Sequence, residues 1–475
     1  MSAASPTETR SLTRAEVSRT ELLLAQCEAK QLTGLTDLLR FGIASSGNAR
    51  GSYVAAAWLL NAARHSGLPT HPSYRRPDGT GFPHCDADWL EKQTAKSRGT
   101  QAGEAVPLRQ EFLEAMAAVD ATPHVAKLEP LGAGTLAARL AAHLRRREPS
   151  LLYFGDGGRD RFAILLAINE VSDQVFCCEI EESRARLKWF SAAELAAGAK
   201  QPGAILEMLS LSRHRESDAE KMEQPGRGQR VLYLDSDQGC ALLQGAEGLT
   251  VVAYAALHGQ AQRDLSSCNV ASLSSIALPK GQRAMVTQAA AARVGSEGGE
   301  PAEADDVQTT LRSLAAHQLR TQKGSDFSFR GLGVQELRDL AVAAGMQAQP
   351  HILAEGAGAE PQVIAAFRAA ARAALGRTIV NFWRPHLEQA GAGHHAVVVA
   401  YHAREDRFLI DDPAAFKMPC YWVETTTLVE AMATFDSTKG IEAYRGYLIV
   451  GGAGGDGSTP WDQEYSASVV IRRRP

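Results

Sequence analysis

At 475 residues the chain is longer than one hydrophobic core usually sustains, so two or more domains are expected. A formal net charge of -4, with 45% hydrophobic and 22% charged residues, describes an ordinary globular composition. It excludes a polycationic surface for nucleic acid, and no apolar run is long enough to span a bilayer. The opening MSAASPTETRSLTRAEV has no apolar signal core, so a cytoplasmic protein without a membrane role is expected.

Taken in chain order, residues 11 to 40 read as helical, with Gly34 as a candidate interruption. Tyr53 to Gly67 is a strong helical segment that stops at a glycine. The stretch PTHPSYRRPDGTGFPHCDADW is rich in Pro and Gly and reads as an irregular surface excursion. Helical text resumes at Leu108 to Ala118 and Gly134 to Arg147, followed by strand-like SLLYF, FAILLAI and VFCCEI. Polar SDAEKMEQPGRGQR, containing Pro225, Gly226 and Gly228, marks a linker at 216–228. Further on come helical text from Gly333 to Gly345 and from Val363 to Leu375, then the strands TIVNFW, HAVVVAYH and DRFLIDD. After residue 451 the tail GGAGGDGSTP reads as flexible, before a last strand-like SVVI.

The second half repeats the pattern of the first. At a constant offset of 233, Ala167 meets Ala400, Asp173 meets Asp406, Trp189 meets Trp422 and Leu195 meets Leu428, without a gap. Nearer the start of each half, SSGNARGS lies over SSCNVASL, so Gly47 falls on Cys268. A duplicated domain follows as the expectation.

Cysteines stand at Cys27, Cys85, Cys177, Cys178, Cys240, Cys268 and Cys420, an odd number without a paired C-x-x-C. Reduced thiols are therefore expected in place of a disulfide framework or zinc knuckle. Cys268 is singled out by its setting, QRDLSSCNVASL, at the start of a short helix-like run whose N-terminus favours a thiolate. Gln262, six residues earlier, can fold its amide back as an oxyanion donor. His394 opens a strand and Asp412 ends the next, so adjacent antiparallel strands can bring the two side by side. His395 and His402 are alternatives to His394, and Asp411 should face away from Asp412.

Residues 229 to 450 resemble phytochelatin synthase, the papain-like glutathione γ-glutamylcysteinyltransferase. The resemblance is carried by CNVASL, by GHHAVVVAYH and by the segment DDPAAFKMPCYWVETTTLVEAMATFDSTKGIEAYRGYLIV. It implies an α+β fold: tandem papain-like domains, each a helical subdomain and an antiparallel sheet. The first, at 1–215, would be an inactive copy, and the second, at 229–451, catalytic.

The implied site is Cys268 as nucleophile, His394 as base, Asp412 as its orienting carboxylate and Gln262 as oxyanion donor. The implied reaction is cleavage of glutathione at Cys-Gly through a γ-glutamylcysteinyl thioester. Glutathione or a phytochelatin would accept the acyl group, and water would give hydrolysis. A non-catalytic thiol-peptide binder or scaffold is the alternative from another class.

No tightly bound cofactor is implied; cadmium or zinc would enter as a thiolate complex of the substrate. Three departures stand out. Ala415 replaces a family arginine three residues after the aspartate, with Lys417 nearby; Asn269 replaces a small glycine after the nucleophile; and the Cys-rich tail of plant members is missing.

In the first copy the matching positions hold Gly47, Arg161 and Glu179, with Phe41 for the glutamine, so thiol chemistry is excluded there. Cys177 and Cys178 read as packed strand residues. The inactive copy is expected to stand in for a dimer partner, its rival role being a regulatory pocket lined by Arg159 or Arg161.

Overall fold

The structure, a computed structural model, describes residues 14–41, 50–63, 65, 68–75, 81–83, 85, 87–98, 107–128, 131–155, 160–181, 184–200, 204–212, 230–234, 236–258, 267–276, 307–323, 331–414, 420–437, 441–451 and 468–470. Its architecture is mixed α+β: two large antiparallel sheets with helices packed against them, consistent with a papain-like superfamily fold. A short hairpin of β1 (Thr70–Arg75) and β2 (Gly81–Pro83) occupies the Pro- and Gly-rich excursion, which corrects the expectation of irregular chain there.

The first sheet contains β3 (His124–Lys127), β4 (Ser150–Gly155), β5 (Arg161–Asn169), β6 (Gln174–Glu181), β7 (Arg184–Ser191) and β8 (Ile205–Ser210). The second contains β9 (Val231–Tyr233), β10 (Ala246–Glu247), β11 (Gln347–Ile352), β12 (Thr378–Trp383), β13 (Gly393–His402), β14 (Arg407–Asp411) and β15 (Tyr421–Glu424). A two-stranded pair, β16 (Phe435–Asp436) and β17 (Ala443–Tyr444), precedes its last member, β18 (Gly446–Gly451). The C-terminal β19 (Ser468–Val470) joins the first sheet beside β7.

The two sheets share one internal order. In the first it runs β3-β8-β4-β5-β6-β7, and in the second β11-β18-β12-β13-β14-β15. The register of β5 on β6 slips between Leu165 and Ala167, and that of β13 on β14 slips between Val398 and Ala400. The turns that follow place Asp173 and Asp406 at φ 51° and 47°. Each then accepts a backbone bond from the first residue of the next helix: Ala192 N–H at 2.8 Å and Thr425 N–H at 2.9 Å. All of these pairs fall on the offset of 233.

Strands β5 and β13 are buried along almost their whole length because both faces are covered, which is why they read as continuous apolar runs. One face of β13 packs with Phe367, Ala371 and Leu428, from helices Pro361–Ala373 and Thr425–Met432. The other packs with Val270, Leu273 and Ile276 of helix Cys268–Ile276.

The first helical stretch breaks at Gln26–Glu28, between helices Arg14–Ala25 and Thr33–Phe41, and not at Gly34. Gly34 sits inside the second of these helices because its backbone presses on β5: a Cβ there would lie 1.9 Å from the Leu165 carbonyl.

The two halves are packed together. A single apolar cluster joins Leu24, Trp58 and Leu166 with Leu243, Val252 and Trp422. Helix Thr33–Phe41 lies against helix Leu249–His258, and the Glu21 carboxylate accepts from the Leu249 and Thr250 N–H groups that begin the latter. Cys240 Sγ donates to the Ala29 carbonyl at 2.9 Å.

Candidate active site

Cys268 is the first residue of helix Cys268–Ile276, and that helix packs on β13. Its side chain is 7% exposed. Burial pushes the thiol up to about 11; a backbone N–H bond from His395 to Sγ and the Arg384 guanidinium pull the other way, Asp412 pushes up, and the Asn269 N–H pulls down again. The resting group is thus a thiol, held against the strand that carries His394.

His394, second in β13, pairs across the sheet with Phe382, and its ring stands edge-on to that ring at 5.6 Å. Its Nε2 lies 2.7 Å from Asp412 Oδ1. A carboxylate only accepts, so Nε2 carries the proton and Nδ1 remains as the basic nitrogen.

Asp412 follows β14 and is fully enclosed by donors. Arg384 Nη2 reaches both of its oxygens, at 3.2 and 3.1 Å; Tyr421 OH donates at 3.2 Å and the Ala414 N–H at 2.8 Å. Burial alone would raise its pKa, but the Arg384 and His394 charges, with bonds from His394 and Ala414, hold it well below the usual carboxylate range.

Asp411 points elsewhere, as alternation requires, and meets Cys420 Sγ at 3.5 Å. Burial lifts Asp411 to about 7, the Cys420 bond opposing and the Asp412 charge adding to the rise. His395 faces the side opposite to His394, where burial first, then the His394 and Arg445 charges, lower it to about 3. A ring whose protonated form is so strongly disfavoured, with no carboxylate aligned on it among the described residues, is a poor base. The third alternative, His402, accepts the Glu405 N–H on Nδ1 at 3.1 Å and so ties down the turn after β13. Gln262, Ala415 and Lys417 lie outside the described residues.

Arg384 and Tyr421 were not singled out in the sequence. Arg384 had a readable signal, an arginine closing the apolar strand TIVNFW just before Pro385. It is 4% exposed in a one-turn 3-10 segment, and its Nη1 also donates to Gln389 Oε1 at 3.3 Å.

At the matching place in the first half, Arg161 Nη1 lies 2.8 Å from Glu179 Oε1, an ion pair where the second half has His394 and Asp412. Gly47 lies outside the described residues, while Phe41 closes helix Thr33–Phe41. One of the helices packed on β5 begins at Gly51. Beside that start, Ser52 Oγ donates to the buried Glu111 carboxylate and Arg50 Nη1 lies 3.2 Å from it. Cys177 and Cys178 are fully buried strand residues.

Among the described residues no group of three or more His, Cys, Asp or Glu side chains is arranged to hold a metal ion, and no helix is long and apolar enough to cross a membrane.

Comparison with known proteins finds a family model within this second half and several relatives that share a short segment with the chain. Residues 306–447 match the family model "Phytochelatin synthase". Glutathione gamma-glutamylcysteinyltransferase 3 of Lotus japonicus is 42% identical over 72 residues, 15% of each chain. Glutathione gamma-glutamylcysteinyltransferase 1 of Triticum aestivum is 40% identical over 72 residues, covering 15% of this chain and 14% of its own. The Schizosaccharomyces pombe glutathione gamma-glutamylcysteinyltransferase is 37% identical over 71 residues, covering 15% and 17%. The matched segment spans about a seventh of the length of these relatives.

Proposed function

We propose that the chain is a thiol acyltransferase acting on glutathione and related γ-glutamyl thiol peptides, with Cys268 as nucleophile and His394 as general base. The observation that carries this reading is the 2.7 Å bond between His394 Nε2 and a carboxylate enclosed by donors, on the strand against which Cys268 is pinned. The similarity of residues 306–447 to phytochelatin synthase supplies the substrate class.

Because the thiol rests protonated, reaction begins with transfer of its proton to His394 Nδ1, and the imidazolium so formed is stabilised by Asp412. Arg384 keeps Asp412 ionised and still. The thiolate attacks the carbonyl between cysteine and glycine of glutathione; Gln262 and backbone donors at the helix start would hold the oxyanion. Collapse expels glycine, whose nitrogen takes the proton from His394, and leaves the γ-glutamylcysteinyl thioester. The amine of a second glutathione or of a phytochelatin then attacks the thioester carbon, giving a proton to His394; the carbon–sulfur bond breaks, and the Cys268 thiolate takes that proton back to restore the thiol. Cadmium or zinc belongs to this scheme as a thiolate complex of the substrate.

Two further readings rest on particular observations. Ala415 removes a fixed cationic fork, which favours a hydrolase that releases glycine and passes the acyl group to water. The matching sheet orders, register slips and turns support a duplicated chain of two papain-like domains, at 1–215 and 229–451, the first inactive. Matching helices meeting at the junction fit a pseudo-twofold pair in which the first half replaces a partner subunit.

Mass spectrometry of the products formed from glutathione, with and without cadmium, tests the reading. Oligomers of γ-glutamylcysteine ending in glycine establish the transferase, γ-glutamylcysteine plus glycine alone the hydrolase. Cys268→Ala should abolish either product without unfolding the protein; retained turnover refutes the nucleophile, and no conversion by the wild type turns the reading to another γ-glutamyl or peptide substrate, and after that to a silent binding protein.

A further inference from the structure

Asn269, directly after Cys268, is fully buried, at 0% exposed. Its Oδ1 accepts the Val270 N–H at 2.7 Å, which folds the carboxamide back over the first turn of the helix and fixes its orientation. Nδ2 then remains as a donor with no partner among the described residues. It faces Gly331, where a Cβ would come no closer than 3.8 Å, so no side chain fills that side from Gly331. The Asn269 backbone N–H is itself one of the donors to Cys268 Sγ, which keeps the residue beside the reacting atom.

A buried donor left without an acceptor is unfavourable, because it has given up water and gained nothing in return. At the first turn of a helix, where N–H groups and the dipole already favour negative charge, an oxygen bonded to the carbon that Cys268 attacks would satisfy it.

We propose that Asn269 Nδ2 is an oxyanion donor for acyl transfer at Cys268. The proposal rests on Cys268 being the nucleophile, and is independent of glutathione being the substrate. As the thiolate attacks, the carbon–sulfur bond forms and the carbonyl π pair moves onto oxygen, where Nδ2–H donates to it. Collapse returns the pair, breaks the bond to the leaving group and sends that group out with the proton held by His394. The donor thereby joins the helix-start N–H groups, a role no glycine at this position could fill.

The test compares two reagents on the purified full chain. Acetylation by p-nitrophenyl acetate passes through an oxyanion; alkylation by iodoacetamide, a displacement at saturated carbon, does not. Both are read as mass added to Cys268, with the p-nitrophenolate burst followed alongside. In Asn269→Ala, and in Asn269→Gly should the first variant fold poorly, acetylation should slow by about 100-fold or more while alkylation stays within about twofold.

Equal slowing of both reactions overturns the proposal, since Asn269 would then act on the thiol or the fold. Unchanged acetylation overturns it, as does a wild-type Cys268 that alkylates but is not acetylated. If acetylation depends on Asn269 while glutathione is left untouched, the glutathione reading falls and the oxyanion donor stands.

Discussion

Arg384 decides the electrostatics of the site at the scale of single residues. A carboxylate without exposed surface would ordinarily be driven toward its neutral form, and a neutral Asp412 could not stabilise an imidazolium. The guanidinium on both of its oxygens prevents this. Arg384→Leu would strand the buried charge, and loss of one partner of such a pair costs about 3–5 kcal/mol. The sign with pH follows from Asp412 being depressed in the folded state. Its stabilisation is present above the unfolded carboxylate value near about 3.9 and is lost as pH falls through the lower, folded value. Denaturant midpoints measured from pH 7 downward should show the Arg384→Leu variant weaker at pH 7, with a smaller further loss on acidification. Parallel curves would assign Asp412's depressed pKa to its other donors.

Between elements, close backbone approach sets how each sheet meets its helices. Gly34 and Gly248 bear on places one residue apart in the repeat, Leu165 and Val399, beside the register slips of β5 and β13. A Cβ on Gly34 would meet the Leu165 carbonyl at 1.9 Å, and one on Gly248 the Val399 carbonyl at 2.9 Å, where φ is also +87°. At Gly34 every near atom is backbone, so the strand itself has to move, whereas at Gly248 the Leu375 Cδ1 tip lies nearer still, at 2.7 Å. Gly34→Ala should therefore destabilise by about 3 kcal/mol, read as a shift of the chemical-denaturation midpoint, despite alanine's better helix propensity. A neutral or stabilising substitution would mean that helix Thr33–Phe41 is free to draw back from β5.

For the whole molecule, the shared apolar cluster predicts joint unfolding. Glu21 begins helix Leu249–His258 from the other half, Cys240 is bonded to Ala29, and Trp58 and Trp422 belong to one cluster. Pulsed thiol labelling across a denaturant series should expose Cys178 of the first half and Cys240 of the second with the same midpoint. Two separated midpoints would show that each half folds as its own unit, and would remove the packing argument for the first half as a built-in partner.

Local pattern was enough for much of this protein. TIVNFW is β12 residue for residue, and His394 and Asp412 fall on neighbouring strand ends, because each depends on short-range apolar patterning and turn chemistry; the equal register slips found at the offset of 233 are not readable from it. The hairpin at β1 and β2 was missed because its Pro and Gly content masked a cross-strand pairing. Likewise Gly34 looked like an interruption, since its reason lies in a strand more than a hundred residues away. Tertiary structure alone could bring Arg384 and Tyr421 onto Asp412, leave Asn269 Nδ2 without a partner among the described residues, and join Arg161 to Glu179 as an ion pair. Charge pairing and orphaned donors depend on which distant groups share a buried space, and no period in the sequence encodes that.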